Sequence, residues 1–314
     1  ISACLVGSEM CIRDRRKVVV IGSGTMAAGI AAGFMDAQYS VVILGRSIEK
    51  ANSCQAKALG LCQVVGRTDM QHETGLIDSW DAWDNCVWVI ETVTEDLAIK
   101  QAIFKSLDGR VPATIPIGSN SSGFPITKIT QGLPTAARMM GAHYFMPADI
   151  VPLVEIVLGE KTDPTLADQV CALYKSIHKK PVLVKRDIPG FLANRIQHAL
   201  MREALALVDA GIATPDDIDD AVRYSFGFRY AAVGPMTQKE ISGWDGMANA
   251  AKEIYPSLSN IDAIPPSLAK LMAEGKTGIK AGEGFRKWSP EESKAINAQY
   301  TRRLKAAFDV LQME

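Results

Sequence analysis

Up to Val184 the chain alternates short β-branched runs with longer amphipathic stretches, and beyond that it is helical in pattern. Lys17–Ile21 (KVVVI) suits a parallel strand buried on both faces. A small-residue stretch to Ala37 predicts a helix, and Ser40–Leu44 is the second strand. A helix is expected from Ile48 to about Leu61, followed by a poorly patterned region as far as Thr74. Val87–Ile90 and Ile115–Ser119 are further strands, separated by a helix that starts around Glu95 and Lys100 and runs to about Leu107. Two more apolar runs, one from Gly141 and one over Pro152–Leu158, flank a short loop holding Pro147 and Pro152, so they are expected as neighbouring strands. A helix from Asp163 to about His178 and a strand at Pro181–Val184 complete this half. The alternation predicts an α/β, Rossmann-type, doubly wound and mostly parallel sheet.

The pattern shifts near Arg186. Asp187-Ile188-Pro189-Gly190 is expected to open a long helix ending near Gly211, with proline in an early position. Leu192, Ile196, Ala199, Leu200, Leu207 and Val208 form its apolar stripe. Thr214-Pro215 and Ser289-Pro290-Glu291-Glu292 start further helices, the latter with a capping box. The expected organisation is a dinucleotide-binding domain over residues 17–186 and an all-helical domain over 187–314. Residues 1–16 have no clear period and resemble the spurious peptide that arises when adapter DNA at a contig edge is translated. They are expected to be extraneous or disordered.

Composition narrows the classes of partner. A net charge of −1 and a pI near 6.5 argue against nucleic acid and membrane surfaces. The uncharged run Val18–Met35 superficially resembles a signal peptide or a membrane span, but its four glycines fit a strand-turn-helix better. Six cysteines without a CxxC pair suggest reduced thiols in a cytoplasmic protein, and no metal site is expected.

Gly22, Gly24 and Ala27 form a GxGxxA turn between strand and helix. Together with Thr25 and Met26 it is the expected cradle for a dinucleotide pyrophosphate. The second strand ends in Gly45-Arg46-Ser47, where NAD sites usually carry an acidic residue for the ribose 2′-hydroxyl. Arg46 and Ser47 supply positive charge and donors there, which favours NADP(H) over NAD(H); alternatively Arg46 only stacks on the adenine. Small polar residues from Asn120 to Gly123 follow a strand's carboxyl end, where open α/β sheets place ligands. His143 is one of four histidines, and Glu155 lies alone in an apolar run. Paired, they would make an oriented general acid/base whose imidazole pKa is raised by the carboxylate. Unpaired, they would be a satisfied core histidine and an edge glutamate. Gly275-Lys276-Thr277 hints at a phosphate loop, but Lys270 stands where that motif requires glycine.

Taken in order, these motifs resemble the 3-hydroxyacyl-CoA dehydrogenase family. The resemblance runs from Lys17 to about Trp288 and rests on GxGxxA, EDLAIK at Glu95–Lys100, SNSS at Ser119–Ser122, HYFMP at His143–Pro147, PLVEIV at Pro152–Val157 and DIPGFLANR at Asp187–Arg195. It implies Ser122, His143, Glu155 and Asn194 as catalytic residues, with Ser122 and Asn194 also touching substrate. It further places Glu95, Lys100 and Asn120 near the cofactor, and implies a homodimer acting on a small-molecule substrate. The implied reaction moves hydride between a nicotinamide and the carbinol carbon of a 3-hydroxy acid or its CoA thioester. Met146 replaces the asparagine common in the family, Phe228–Pro235 is similar to the non-CoA members of the λ-crystallin and L-carnitine groups, and the second half, including Gly123–Ile129 and Gly278–Gly284, is similar to the vitamin B6-degradation group. On that likeness Arg229 is a candidate partner for a substrate carboxylate, and equally an ordinary surface arginine. The alternative from another class is a non-catalytic, crystallin-like nucleotide binder.

Overall fold

A computed structural model describes residues 16–62 and 72–313. The expectation for residues 1–16 therefore falls, Arg16 apart, outside the described residues, as do Cys4 and Cys11. The chain divides into two compact units between Ala193 and Asn194.

The first unit is built on eight strands: β1 (Lys17–Ile21), β2 (Ser40–Gly45), β3 (Glu73–Leu76), β4 (Cys86–Glu91), β5 (Ile117–Ser119), β6 (Met139–Tyr144), β7 (Leu153–Val157) and β8 (Lys180–Val184). They lie in the order β3-β2-β1-β4-β5-β6-β7-β8. Every neighbouring pair is parallel except β6 and β7, which run antiparallel. The reversal of strand order around β1 opens a crevice at the carboxyl ends of β1 and β4, the usual ligand position in such sheets. β3 falls at the end of the region whose pattern is poor: in its sequence, ETGL, the one buried position is Gly75 and Leu76 is exposed, as an edge strand can be.

Side chains alternate between the two faces, as a pleated strand requires. Val18, Val20, Val41, Ile43, Trp88 and Ile90 pack under helices α1 (Thr25–Asp36), α2 (Ile48–Leu61) and α5 (Pro164–Ser176). Val19, Ile21, Val42, Val89, Ile117 and Met139 pack under α3 (Leu97–Arg110) and the short α4 (Ile126–Ile129). By this alternation Glu91, Ser119, His143 and Glu155 all belong to the α3–α4 face, close to the carboxyl edge of the parallel strands. Trp88 is fully buried, and its indole N–H donates to Tyr174 Oη at 3.1 Å.

The second unit contains α6 (Ala193–Asp209), α7 (Pro215–Arg223), α8 (Phe226–Tyr230), α9 (Pro235–Ser242), α10 (Trp244–Ile254), α11 (Pro266–Ala273) and α12 (Pro290–Leu311). The long helix begins at Ala193, not near Asp187 as its sequence suggests. Gly190 and Phe191 adopt left-handed backbone angles (φ 76° and 48°), which a right-handed helix excludes. The capping box expected at Ser289 is formed, and Thr214 forms a second one with Asp217 that was not expected. Gly275-Lys276-Thr277 follows α11, and Lys276 is ion-paired to Glu274 and Glu283. Within this unit, among the described residues, only Ala204 and Leu205 are buried. Phe228 is 76% exposed and Ile212 72%. An apolar cavity of about 440 Å³ opens between α6 and α11, lined in part by Leu205, Val208, Leu271, Phe285 and Trp288.

Candidate active site

The crevice begins at the glycine turn after β1. Gly22 has φ +125°, and a Cβ there would lie 2.6 Å from the carbonyl oxygen of Thr92, so only glycine fits. Gly24 caps α1 without any side-chain hydrogen bond, and no acidic residue lies in the helix's first turn. The early N–H groups of α1 at Thr25, Met26 and Ala27 thus meet no capping side chain and can bind an anion. Ala27 is buried, as close packing of α1 on the sheet demands. At the end of β2, Arg46 is exposed, whereas Ser47 is the N-cap of α2 and accepts a hydrogen bond from Lys50 N at 3.3 Å.

After β5 the chain turns through Ser119–Phe124, and nearly every polar group in this turn is committed. Glu95 Oε1 accepts from Ser121 Oγ at 2.6 Å, Ser122 N at 3.0 Å and Gly123 N at 2.9 Å. Burial pushes the Glu95 carboxyl up, but the Ser121 hydroxyl, the Gly123 amide and Lys100 together hold it below its usual range. Asn120 donates to Thr92 Oγ1 and accepts from Tyr144 N, so its amide fastens β4 to β6. Lys100 is fully buried against Glu91, so the structure places it inside the wall of the crevice. Ser122 is exposed, and its hydroxyl has no hydrogen-bond partner among the described residues.

His143 and Glu155 are directly opposed in the β6–β7 register. His143 Nδ1 lies 2.7 Å from Glu155 Oε2, with His143 2% exposed and Glu155 fully buried. The other carboxylate oxygen accepts from Leu192 N at 3.0 Å and Ala193 N at 2.7 Å. Burial alone would raise the Glu155 carboxyl; the hydrogen bonds from His143, Ala193 and Leu192 outweigh it and hold the pKa below its usual value. Phe145 and Phe191 flank the imidazole, with ring centroids 4.6 and 5.5 Å away. With Nδ1 committed to the carboxylate, Nε2 is the nitrogen free to exchange a proton with a ligand. Asn194 lies in the first turn of α6 and Arg229 is exposed on α8, both in the helical unit.

Two ties escaped the sequence reading. Glu91 looked like the end of an apolar strand, yet it bonds Val93 N, Lys100 Nζ and Ser119 Oγ. Lys179 follows the end of the helix expected from Asp163, and its Nζ donates to the carbonyls of Ala148 and Val151 in the loop joining β6 to β7. Burial pushes the Lys179 ammonium down to about 8, against the opposing pull of Asp149. The signal available in sequence was a charged residue adjoining an apolar run at each position.

Residues 17–188 match the NAD-binding domain of 3-hydroxyacyl-CoA dehydrogenase, and residues 190–288 match its C-terminal domain. The chain belongs to the 3-hydroxyacyl-CoA dehydrogenase family. It is 34% identical to 5-formyl-3-hydroxy-2-methylpyridine 4-carboxylate 5-dehydrogenase of Mesorhizobium japonicum, over 95% of this chain and 98% of that one. It is 33% identical to an L-carnitine dehydrogenase of Streptomyces griseus, over 79% of this chain and 76% of that one. A crystal structure of a 5-formyl-3-hydroxy-2-methylpyridine 4-carboxylic acid 5-dehydrogenase, described as an NAD+ dependent dismutase, superposes with a TM-score of 0.86 at 34% identity, covering 95% and 98% of the two chains. As a family member the chain is a dehydrogenase-type oxidoreductase acting on CH–OH groups with a pyridine nucleotide cofactor. The Gly22 turn and the uncapped start of α1 fit that cofactor's pyrophosphate. Among the described residues there is no cluster suited to a metal ion, and no helix is long and apolar enough to cross a membrane.

The Glu155 linkage gives a pH prediction. Its folded pKa is depressed below the unfolded value of about 4.3, so the pair stabilises the fold above that value, and the contribution disappears as pH falls through the folded pKa. Urea denaturation of wild type and Glu155→Gln across the acid range should show a stability gap that is full near neutrality and narrows below about pH 4. A gap that widens towards acid would contradict the assigned shift.

Proposed function

We propose that the protein is a pyridine-nucleotide-dependent dehydrogenase of a small 3-hydroxy acid, or of its CoA thioester, in which His143 and Glu155 are the acid/base pair. The observation that carries this reading is the imidazole held through Nδ1 by a buried carboxylate whose second oxygen is already satisfied by two backbone amides. When bound, the nicotinamide supplies the acceptor for the carbinol hydride. His143 Nε2 takes the hydroxyl proton, and Glu155 offsets the positive charge that then forms on the ring. Ser122 and Asn194 donate hydrogen bonds to the oxygen as it becomes a carbonyl and so orient the carbon. Glu95, Lys100 and Asn120 shape the cofactor side of the crevice chiefly by holding the wall in place.

A free carboxylate is favoured over a thioester as the substrate's second group. Arg229 presents an exposed guanidinium that suits bidentate pairing, and the similar Mesorhizobium enzyme is named for a pyridine carboxylate. NADP(H) is favoured over NAD(H) because Arg46 offers positive charge where acidic residues select against a 2′-phosphate, although one similar structure is described as NAD+ dependent. A homodimer through the helical unit is the remaining part of the reading. Among the described residues of that unit only Ala204 and Leu205 are buried, while Ile212, Tyr224, Phe228 and Ile241 all lie open, and exposed apolar groups in such number favour a protein partner.

Turnover of free hydroxy acids, pyridine alcohols or aldehydes, and hydroxyacyl-CoAs by wild type and His143→Ala tests the chemistry. His143→Ala should lose at least about 10²-fold in kcat on the best substrate while keeping cofactor affinity; an unchanged rate rejects the mechanism. Arg46→Asp should weaken NADPH binding far more than NADH binding in a fluorescence titration, and equal effects would reject the role given to Arg46. For the dimer, the thermal midpoint should rise with protein concentration and sedimentation should give twice the chain mass. A monomer with a concentration-independent midpoint would reject it.

A further inference from the structure

Glu91 is fully buried at the carboxyl end of β4, and none of the proposed chemistry uses it. In the sheet it stands beside Ile21 of β1 on one side and Ser119 of β5 on the other. It therefore sits between the strand feeding the glycine turn and the strand feeding the serine turn. Its carboxylate is saturated. Oε1 accepts from Val93 N at 2.6 Å and Lys100 Nζ at 2.9 Å, and Oε2 accepts from Ser119 Oγ at 2.7 Å and Lys100 Nζ at 3.1 Å.

Lys100 carries the connection outward. Its Nζ lies 3.4 Å from Glu95 Oε2, while Glu95 Oε1 is the acceptor for Ser121 Oγ, Ser122 N and Gly123 N. A second branch runs from Ser119 Oγ, which accepts from Ser121 N, to Ser121 Oγ, which accepts from Phe124 N. Both branches start at Glu91, and between them they fix the backbone of the turn on either side of Ser122.

We propose that Glu91 is a positioning residue: through Lys100 and Ser119 it holds Glu95 and the Ser119–Phe124 turn so that the Ser122 hydroxyl points into the crevice. This inference rests on the catalytic reading of Ser122 given above. The physical logic is one of charge balance. Lys100 is a buried cation between two carboxylates, and removing the charge of the inner one leaves it to draw on the outer one. Glu95 then leaves the amides of Ser122 and Gly123, and the turn loses the acceptor that shapes it. Positional loss of this kind at a reacting group lowers the rate without removing a contact to the cofactor's phosphates.

The test is Glu91→Gln, which keeps the shape and removes the charge. kcat should fall by about 10²-fold, far more than any change in affinity for the nucleotide cofactor. Ser119→Ala strands no charge and serves if Glu91→Gln does not fold; it should give a smaller fall in kcat, again out of proportion to any change in cofactor affinity. The proposal is overturned if Glu91→Gln keeps wild-type kcat, if cofactor affinity falls as much as kcat, or if Ser119→Ala leaves kcat unchanged. His143→Ala separates this inference from the reading beneath it. An active His143→Ala enzyme rejects the site altogether, whereas an inactive one beside a fully active Glu91→Gln rejects only the role of Glu91.

Discussion

A carboxylate buried in a sheet is tolerable only when its charge is met, and Glu155 meets this condition with three N–H donors. One donor is the imidazole of His143, and the other two are the amides of Leu192, just before α6, and Ala193, its first residue. The same atoms that make the buried charge tolerable also fix the imidazole's orientation and leave its outer nitrogen available. Satisfaction of one anion thus ties together β6, β7 and the segment entering α6.

The glycine turn and the serine turn are arranged around the same constraint on a second scale. β1, β4 and β5 deliver their carboxyl ends side by side, and backbone contact at Gly22 and Thr92 keeps the first two strands' exits close. Polar side chains do the remaining work: Asn120 links Thr92 to Tyr144, and Glu95 gathers the amides after Ser121. A crevice made in this way has rigid walls before any ligand arrives.

Much of this was legible in the sequence because it depends on local pattern. The β-branched runs at Val18–Ile21 and Val41–Leu44, and the glycines between strand and helix, determine their own conformations. The spacing of His143 and Glu155 about a proline-containing loop was enough to suggest neighbouring strands. What stayed hidden depends on partners distant in the chain. β3 is an edge strand whose polar sequence carries no period, and it forms because β2 offers a free edge. The late start of α6 follows from the left-handed backbone at Gly190 and Phe191, for which Pro189 gave no warning. Glu91 and Lys179 were invisible because a charged residue beside an apolar run has the same sequence appearance whether it is solvated or buried in a network.

The antiparallel pairing of β6 and β7 has a consequence for insertions and deletions. Side chains along a strand change face at each residue, so slipping the pairing by one position would carry Glu155 to the α1–α5 side of the sheet and strand His143. Lys179 clasps the intervening loop at two carbonyls, Ala148 and Val151. Length variation between Tyr144 and Leu153 is therefore constrained from both ends, and an extra residue there would have to be absorbed as a bulge within the loop itself.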